Sequence, residues 1–119
     1  MQKIDEYTAH LLPVRLVEVL YPGARDEAMY AAVMQQPQYS LLSTFAIEVA
    51  LAMSCKANLR EEDELYATLG HSVGEFASAV ISGAFSLESA TALVCERGRL
   101  MEQHPTRGSM MAGRASSPD

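Results

Sequence analysis

Three scarcities narrow the reading of this chain before any motif is considered. Cysteine is scarce: Cys55 and Cys95 are the only two, with no Cys-X-X-Cys pair and no Cys/His spacing suited to a metal site. Each lies in an apolar helical pattern, so both are expected as buried free thiols. Basic residues are few and scattered. Nine Lys and Arg face fifteen Asp and Glu, a net charge of −6, which argues against nucleic acid as a partner. Long apolar runs are missing as well: none approaches the roughly 20 residues of a membrane span. Asp5 and Glu6 also stand where a secretory signal would carry only positive charge before its apolar core. No membrane partner and a cytoplasmic location are therefore expected.

What is present is globular. With 49% hydrophobic and 20% charged residues, the chain has the material of a packed core rather than of a disordered tail. Its 119 residues leave little room, however. A parallel-sheet fold is built from several crossover units of about 30 residues each, so the chain is expected to be part of a larger domain.

Apolar side chains at Leu11, Leu12, Val14, Leu16, Val17, Val19 and Leu20 suit a helix from Asp5 to Tyr21, interrupted near Pro13 and ended by Tyr21, Pro22 and Gly23. A second helix fits Asp26 to Gln35, stopped by Pro37. From Leu41 to Ala57 nearly every position is apolar, which predicts a helix buried on most sides, with Glu48 as the exception. That carboxylate either pairs with a basic group or stands near a site. The charged run from Arg60 to Glu64 reads as a solvated loop.

Further on, Gly83 suits the C-terminal cap of a helix over Glu75 to Ser82. Ser86 suits the N-cap of another running to about Gln103, with Glu88 in its first turn. On that last helix Leu87, Ala90, Val94 and Met101 form an apolar stripe, and Arg97 falls on it. Arg99 falls with Glu88, Glu96 and Glu102 on the polar side. An inward guanidinium needs an anion, so Arg97 either pairs with an internal carboxylate such as Glu48 or waits for an anionic ligand. Ser109 to Gly113 suits a second strand, and the tail from Arg114 to Asp119 has no packing pattern.

The chemistry-bearing stretch is Leu65 to Phe76: a short apolar run, then Gly70-His71-Ser72-Val73-Gly74, then a helical pattern. A strand from Leu65 to Leu69, a sharp turn and a helix would lift the Ser72 hydroxyl to an apex. Gly70 and Gly74 would permit the close passage of strand and helix. Ser72 is then a nucleophile, and the helix N-terminus, with the Val73 N–H as one donor, would stabilise an oxyanion beside it. Gly-X-Ser-X-Gly also occurs by chance in small-residue loops, and a purely structural role stands beside the catalytic one.

Taken together, Phe45-Ala46-Ile47-Glu48, Gly70-His71-Ser72-Val73-Gly74-Glu75, Glu96-Arg97-Gly98-Arg99-Leu100-Met101 and Gly108-Ser109-Met110-Met111-Ala112 resemble the malonyl-coenzyme A:acyl carrier protein transacylase family, especially polyketide synthase acyltransferase domains. The pairing of the two longer blocks is far more specific than Gly-X-Ser-X-Gly alone. The resemblance implies an α/β fold: part of an α/β-hydrolase-like acyltransferase large subdomain, mostly helical, with strand, elbow and helix carrying the nucleophile. It implies that Ser72 takes an acyl group from malonyl-coenzyme A and hands it to the thiol of an acyl carrier protein. No cofactor is implied beyond that thioester substrate, and other domains of a multidomain synthase are implied as partners. Arg97 matches the arginine that grips the free carboxylate of a malonyl-type unit, and His71 and Val73 flank Ser72 on the substrate side. Valine at position 73 looks like the malonyl-selective form of the motif.

The departures matter as much. The family's catalytic histidine is expected past Asp119, and its Pro-Gly-Gln-Gly loop upstream of this chain. Tyr21-Pro22-Gly23-Ala24 imitates that loop without its glutamine and too close to Ser72, and Leu41-Leu42-Ser43 stands where the family has Gln-Pro-Ala. None of His10, His71 and His104 reads as a general base. Residues 1–119 are thus expected to be an incomplete acyltransferase domain, weakly active or inactive alone. A serine hydrolase of the esterase or patatin-like kind and a catalytically dead remnant remain as alternatives.

Overall fold

The computed structural model describes residues 1–23, 26–60, 62–104, 108, 111 and 113, and among them it contains α-helices and no strand. In chain order these are α1 (Gln2–Thr8), α2 (Leu16–Leu20), α3 (Glu27–Met34), α4 (Pro37–Ala57), α5 (Gly74–Ile81) and α6 (Leu87–Gln103). The long α4 is the platform. Pro37 at its first position both stops α3 and starts α4, since its missing N–H would have no intrahelical partner there. One face of α4 supplies Tyr39, Leu42, Phe45, Ala46 and Val49 to the core. Against it pack Ala90, Val94 and Cys95 of α6, Ile4 of α1, Leu16 and Val19 of α2, and Val73 and Ala77 at the start of α5. Each fully buried Leu or Phe contributes about 1.5–3 kcal/mol.

The first predicted helix divides into two. α1 ends at Thr8, whose hydroxyl turns back to the Ile4 carbonyl at 3.0 Å, and Pro13 falls in the link to α2. That link is held from outside. The Tyr39 hydroxyl accepts from the Val14 N–H at 2.9 Å and donates to the Val14 carbonyl at 3.0 Å. Buried Asp5 accepts from the Val17 N–H at 3.0 Å in the first turn of α2, and pairs with the Arg15 guanidinium.

Later boundaries follow their caps. The Ser86 hydroxyl accepts from the Ser89 N–H at 3.0 Å, and Gly83, just past α5, takes φ 83°, a backbone setting that favours glycine. The inward face of α6 is Ala90, Thr91, Val94, Cys95 and Gly98, so the predicted stripe is rotated: Met101 is exposed and Arg97 sits half-buried at its margin. Arg99 does lie on the polar side, with its Nε 2.6 Å from Glu96.

Four expectations are corrected. Residues 65–69 are extended but make no β ladder among the described residues. A strand needs a neighbour's N–H and C=O groups, and here the segment is held by side chains instead: the Ser78 hydroxyl donates to Thr68 Oγ1 at 2.7 Å, which donates to the Ser78 carbonyl at 3.2 Å. Tyr66 and Leu69 are each 99% exposed. Next, α4 is buried along one face rather than on most sides. Ile47, Leu51 and Met53 are exposed, because no described element covers that side. With 21 residues it is also long and apolar enough by length and composition to cross a membrane, contrary to the reading of the runs. Its buried Phe45 face and its Glu48 are those of a core helix. Finally, Cys55 is exposed near the end of α4 while Cys95 is buried. The second predicted strand, from Ser109 to Gly113, and the tail from Arg114 lie largely outside the described residues.

Two predictions follow from this packing. A Cβ on Gly98 would lie 2.4 Å from Gln38 Cα and 2.9 Å from its nitrogen, so α4 and α6 would be forced apart. Alanine gains about 1 kcal/mol over glycine in a helix interior, but backbone atoms cannot step aside as a rotamer can. Gly98→Ala should therefore lower stability by about 1–3 kcal/mol in urea unfolding, against the propensity expectation. As to the thiols, burial pushes Cys95 above the usual thiol range, only partly offset by the Gln38 amide at 3.1 Å. A thiol reagent should label one site quickly in the native protein and none in Cys55→Ser. A raised folded value also means that the Cys95 contribution to stability is complete below the ordinary thiol pKa and fades as alkaline pH rises through the raised one.

Candidate functional site

Ser72 sits in the turn between the extended segment and α5 with φ 55°, the one non-glycine residue with positive φ among those described. For a serine that setting costs on the order of 1–3 kcal/mol, so the surroundings must impose it. Gly70 is one constraint: a Cβ there would lie 2.0 Å from the Gly74 carbonyl oxygen and 2.4 Å from the Glu75 nitrogen. The Gly74 N–H donates to the His71 carbonyl at 3.0 Å and closes the turn. Gly74 itself does not carry the steric role expected of it. A Cβ there would meet only the Glu48 carboxylate, at 3.5 Å, an ordinary contact.

The turn exposes Ser72 and buries Val73, whose side chain joins the core. Among the described residues the Val73 N–H makes no hydrogen bond. It remains a free donor at the start of α5, next to the serine, where the partial positive charge of a helix N-terminus is concentrated.

Arg97 reaches this turn from α6. Its Nη2 donates to Ser72 Oγ at 3.1 Å, and its guanidinium carbon lies 5.8 Å from the centre of the Phe76 ring. Ser72 and Arg97 are thus brought together, and Val73 stands beside them. The His71 side chain is exposed and makes no hydrogen bond; the residue serves the turn through its carbonyl. Among the described residues no histidine hydrogen-bonds Ser72. Phe76 is the site residue that the sequence reading passed over. Its signal was an aromatic side chain in the first turn of the helix that follows the serine.

The pairing of Arg97 with Glu48 does not occur. Glu48 faces Gly74 from α4, and its Oε2 is buried without a hydrogen-bond partner among the described residues. It lines a concavity of about 310 Å³ with Ala52, Leu69, Gly70, Ala77 and Ile81. Gly74 lines it as well, so the space adjoins the turn that carries Ser72, although none of Ser72, Val73, Phe76 and Arg97 lines it. A buried carboxylate oxygen without a hydrogen-bond partner is destabilising. Because the residue is only half-buried, its replacement by an apolar side chain should raise the unfolding free energy by about 1 kcal/mol. Chemical denaturation of Glu48→Leu checks this, and a loss of stability would show that the carboxylate has a partner.

Residues 5–118 match the family described as the acyl transferase domain. Spectinabilin polyketide synthase system protein NorB of Streptomyces orinoci is 36% identical over 99% of this chain and 5% of its own length. PKS-NRPS hybrid synthetase acdB of Aspergillus candidus is 38% identical over 92% of this chain and 4% of its own length. Phenolphthiocerol synthesis polyketide synthase type I Pks15/1 of Mycobacterium marinum is 34% identical over 97% of this chain and 5% of its own length. The chain therefore spans about one-twentieth of these relatives. No solved structure matches it.

Proposed function

Because this chain belongs to the acyl transferase domain family, we propose that it moves a malonyl-type acyl group from a coenzyme A thioester to an acyl carrier protein in polyketide or fatty acid assembly, through an ester on Ser72. The observation that carries the proposal is the hydrogen bond of 3.1 Å from Arg97 to the hydroxyl of a serine held at positive φ. A serine in a strained turn before a helix supports reading Ser72 as the apex of a nucleophile elbow. A guanidinium beside it supplies the parallel N–H pair that recognises a carboxylate.

In the proposed reaction the Ser72 oxygen attacks the thioester carbonyl carbon and its proton passes to a general base. The tetrahedral oxyanion is received by the Val73 N–H and the start of α5. The C–S bond then breaks, coenzyme A leaves as the thiol, and the malonyl group remains on Ser72. The carrier's thiol attacks the ester carbonyl, the C–O bond breaks, and the proton returns to the serine. Arg97 would turn from the hydroxyl to the free carboxylate of the acyl group. The resemblance assigns the base to a histidine beyond Asp119 and expects other synthase domains as partners. Since a general base contributes roughly 10²–10⁴-fold, this chain alone should load slowly, and Val73 is read as favouring malonyl.

The test uses a complete acyl transferase domain in which residues 1–119 of this chain replace their counterparts. Malonyl-coenzyme A should add one malonyl mass to the peptide containing Ser72, and the same mass on Ser72→Ala would overturn the assignment. Charge-assisted hydrogen bonds are worth about 1.5–3 kcal/mol, so Arg97→Ala should lower the ratio of malonyl to acetyl loading by roughly ten- to over a hundredfold. An unchanged ratio would remove Arg97 from the site and favour a serine hydrolase or a silent remnant.

A further inference from the structure

The guanidinium of Arg97 has an unusual set of neighbours. Among the described arginines, Arg15 pairs with Asp5, Arg60 with Glu62 and Asp63, and Arg99 with Glu96. Arg97 pairs with no carboxylate among the described residues, where its polar and aromatic partners are the Ser72 hydroxyl and the face of Phe76. These two contacts differ in one respect. If Ser72 is acylated, its oxygen becomes part of an ester and the hydroxyl is lost, so its hold on the guanidinium weakens at the moment when Arg97 has to find the acyl carboxylate. The Phe76 ring is unaffected by that change. It is half-buried and packed against the core cluster, so it cannot follow the substrate. A cation within about 6 Å of an aromatic face is attracted by the ring's quadrupole, and the 5.8 Å separation lies inside that range.

We infer that Phe76 is a positioning residue for selectivity: its ring holds the Arg97 guanidinium over Ser72 in both the free and the acylated protein. Arg97 is thereby kept ready for a carboxylate-bearing acyl group. The inference rests on the reading of Ser72 and Arg97 as the acyl-loading pair, and adds to it a residue that touches neither acyl group nor thioester. The aromatic face, rather than the bulk of the side chain, is what the role requires. An aliphatic residue of similar size fills the same gap in the core but gives the cation nothing to rest on.

The experiment compares malonyl with acetyl loading in the same complete domain, for Phe76→Leu, Phe76→Met, Phe76→Tyr and Arg97→Ala, with thermal midpoints for each. Phe76→Leu should lower the malonyl-to-acetyl ratio of kcat/KM by roughly three- to tenfold, as expected for loss of one partly exposed cation–π contact. The loss should appear mainly in the malonyl KM, and Phe76→Tyr, which keeps the ring, should restore the ratio. If Phe76→Leu does not fold, Phe76→Met fills the core with an unbranched chain and gives the same reading. In the Arg97→Ala background Phe76→Leu should change the ratio no further. If Arg97→Ala collapses the ratio but neither aliphatic variant moves it, or if they lower both substrates equally along with the midpoint, Phe76 is only a core residue and the inference fails alone. An unchanged ratio in Arg97→Ala would instead show that the underlying reading has failed.

Discussion

The close passage of α6 over the start of α4 sets the geometry on which the rest of the molecule depends. At Gly98 the two backbones approach so nearly that a single added carbon would meet Gln38 Cα at 2.4 Å. Arg97 is the residue immediately before that contact, so its Cα is fixed by the close approach of the α4 and α6 backbones. Gln38 adds a second tie through its amide on the Cys95 sulfur at 3.1 Å. α5 is seated on the same platform through Val73 and Ala77, which belong to the buried cluster shared with α4. Ser72 and Arg97 stand 25 positions apart, and their 3.1 Å contact reflects two helices held against a common third.

Much of this was legible because local chemistry is short-ranged. Ser86 announces a helix start by having an oxygen where the first turn has spare N–H groups, and Pro37 by having no N–H to spare. Gly83 marks a stop because its φ of 83° is unfavourable for other residues. The site was legible for the same reason. Gly70 and Ser72 reveal a turn, and Arg97 on a partly apolar face reveals a charge in need of company. The nature of that company was not readable: the alternatives were an internal carboxylate such as Glu48 or an anionic ligand, and only the relative placement of α4, α5 and α6 puts the Ser72 hydroxyl beside the guanidinium.

What was misread depended on neighbours rather than on the segment itself. Leu65 to Leu69 has the composition of a strand, but a strand is a relation between two segments, and among the described residues no second one is beside it. The apolar residues along α4 predict burial on most sides, yet burial follows what lies opposite. Phe45 is fully buried in the shared core, while Leu51 is 62% exposed. Cys55 is exposed on the same helix for the same reason. The α6 stripe was rotated because periodicity weighs Met101 as apolar but cannot weigh Gly98, whose lack of a side chain is what lets α4 approach.

The strain at Ser72 fits this division between a packed platform and an open rim. A serine at φ 55° does not hold that conformation by its own preference. It is held because Val73 on one side is drawn into the core and Gly70 on the other is pressed against the Gly74 carbonyl, leaving His71 and Ser72 between them to complete the turn. The extended segment leading in cannot supply that force through a ladder, so the Thr68–Ser78 hydroxyl pair ties it to α5 instead. The outcome is an exposed hydroxyl set outward by apolar burial one residue away, with an N–H that is free among the described residues and a guanidinium at its side. Hydrophobic packing, which has no directional preference of its own, is converted into direction by the backbone, and it is that conversion which sets the backbone of Ser72 apart from that of the other described serines.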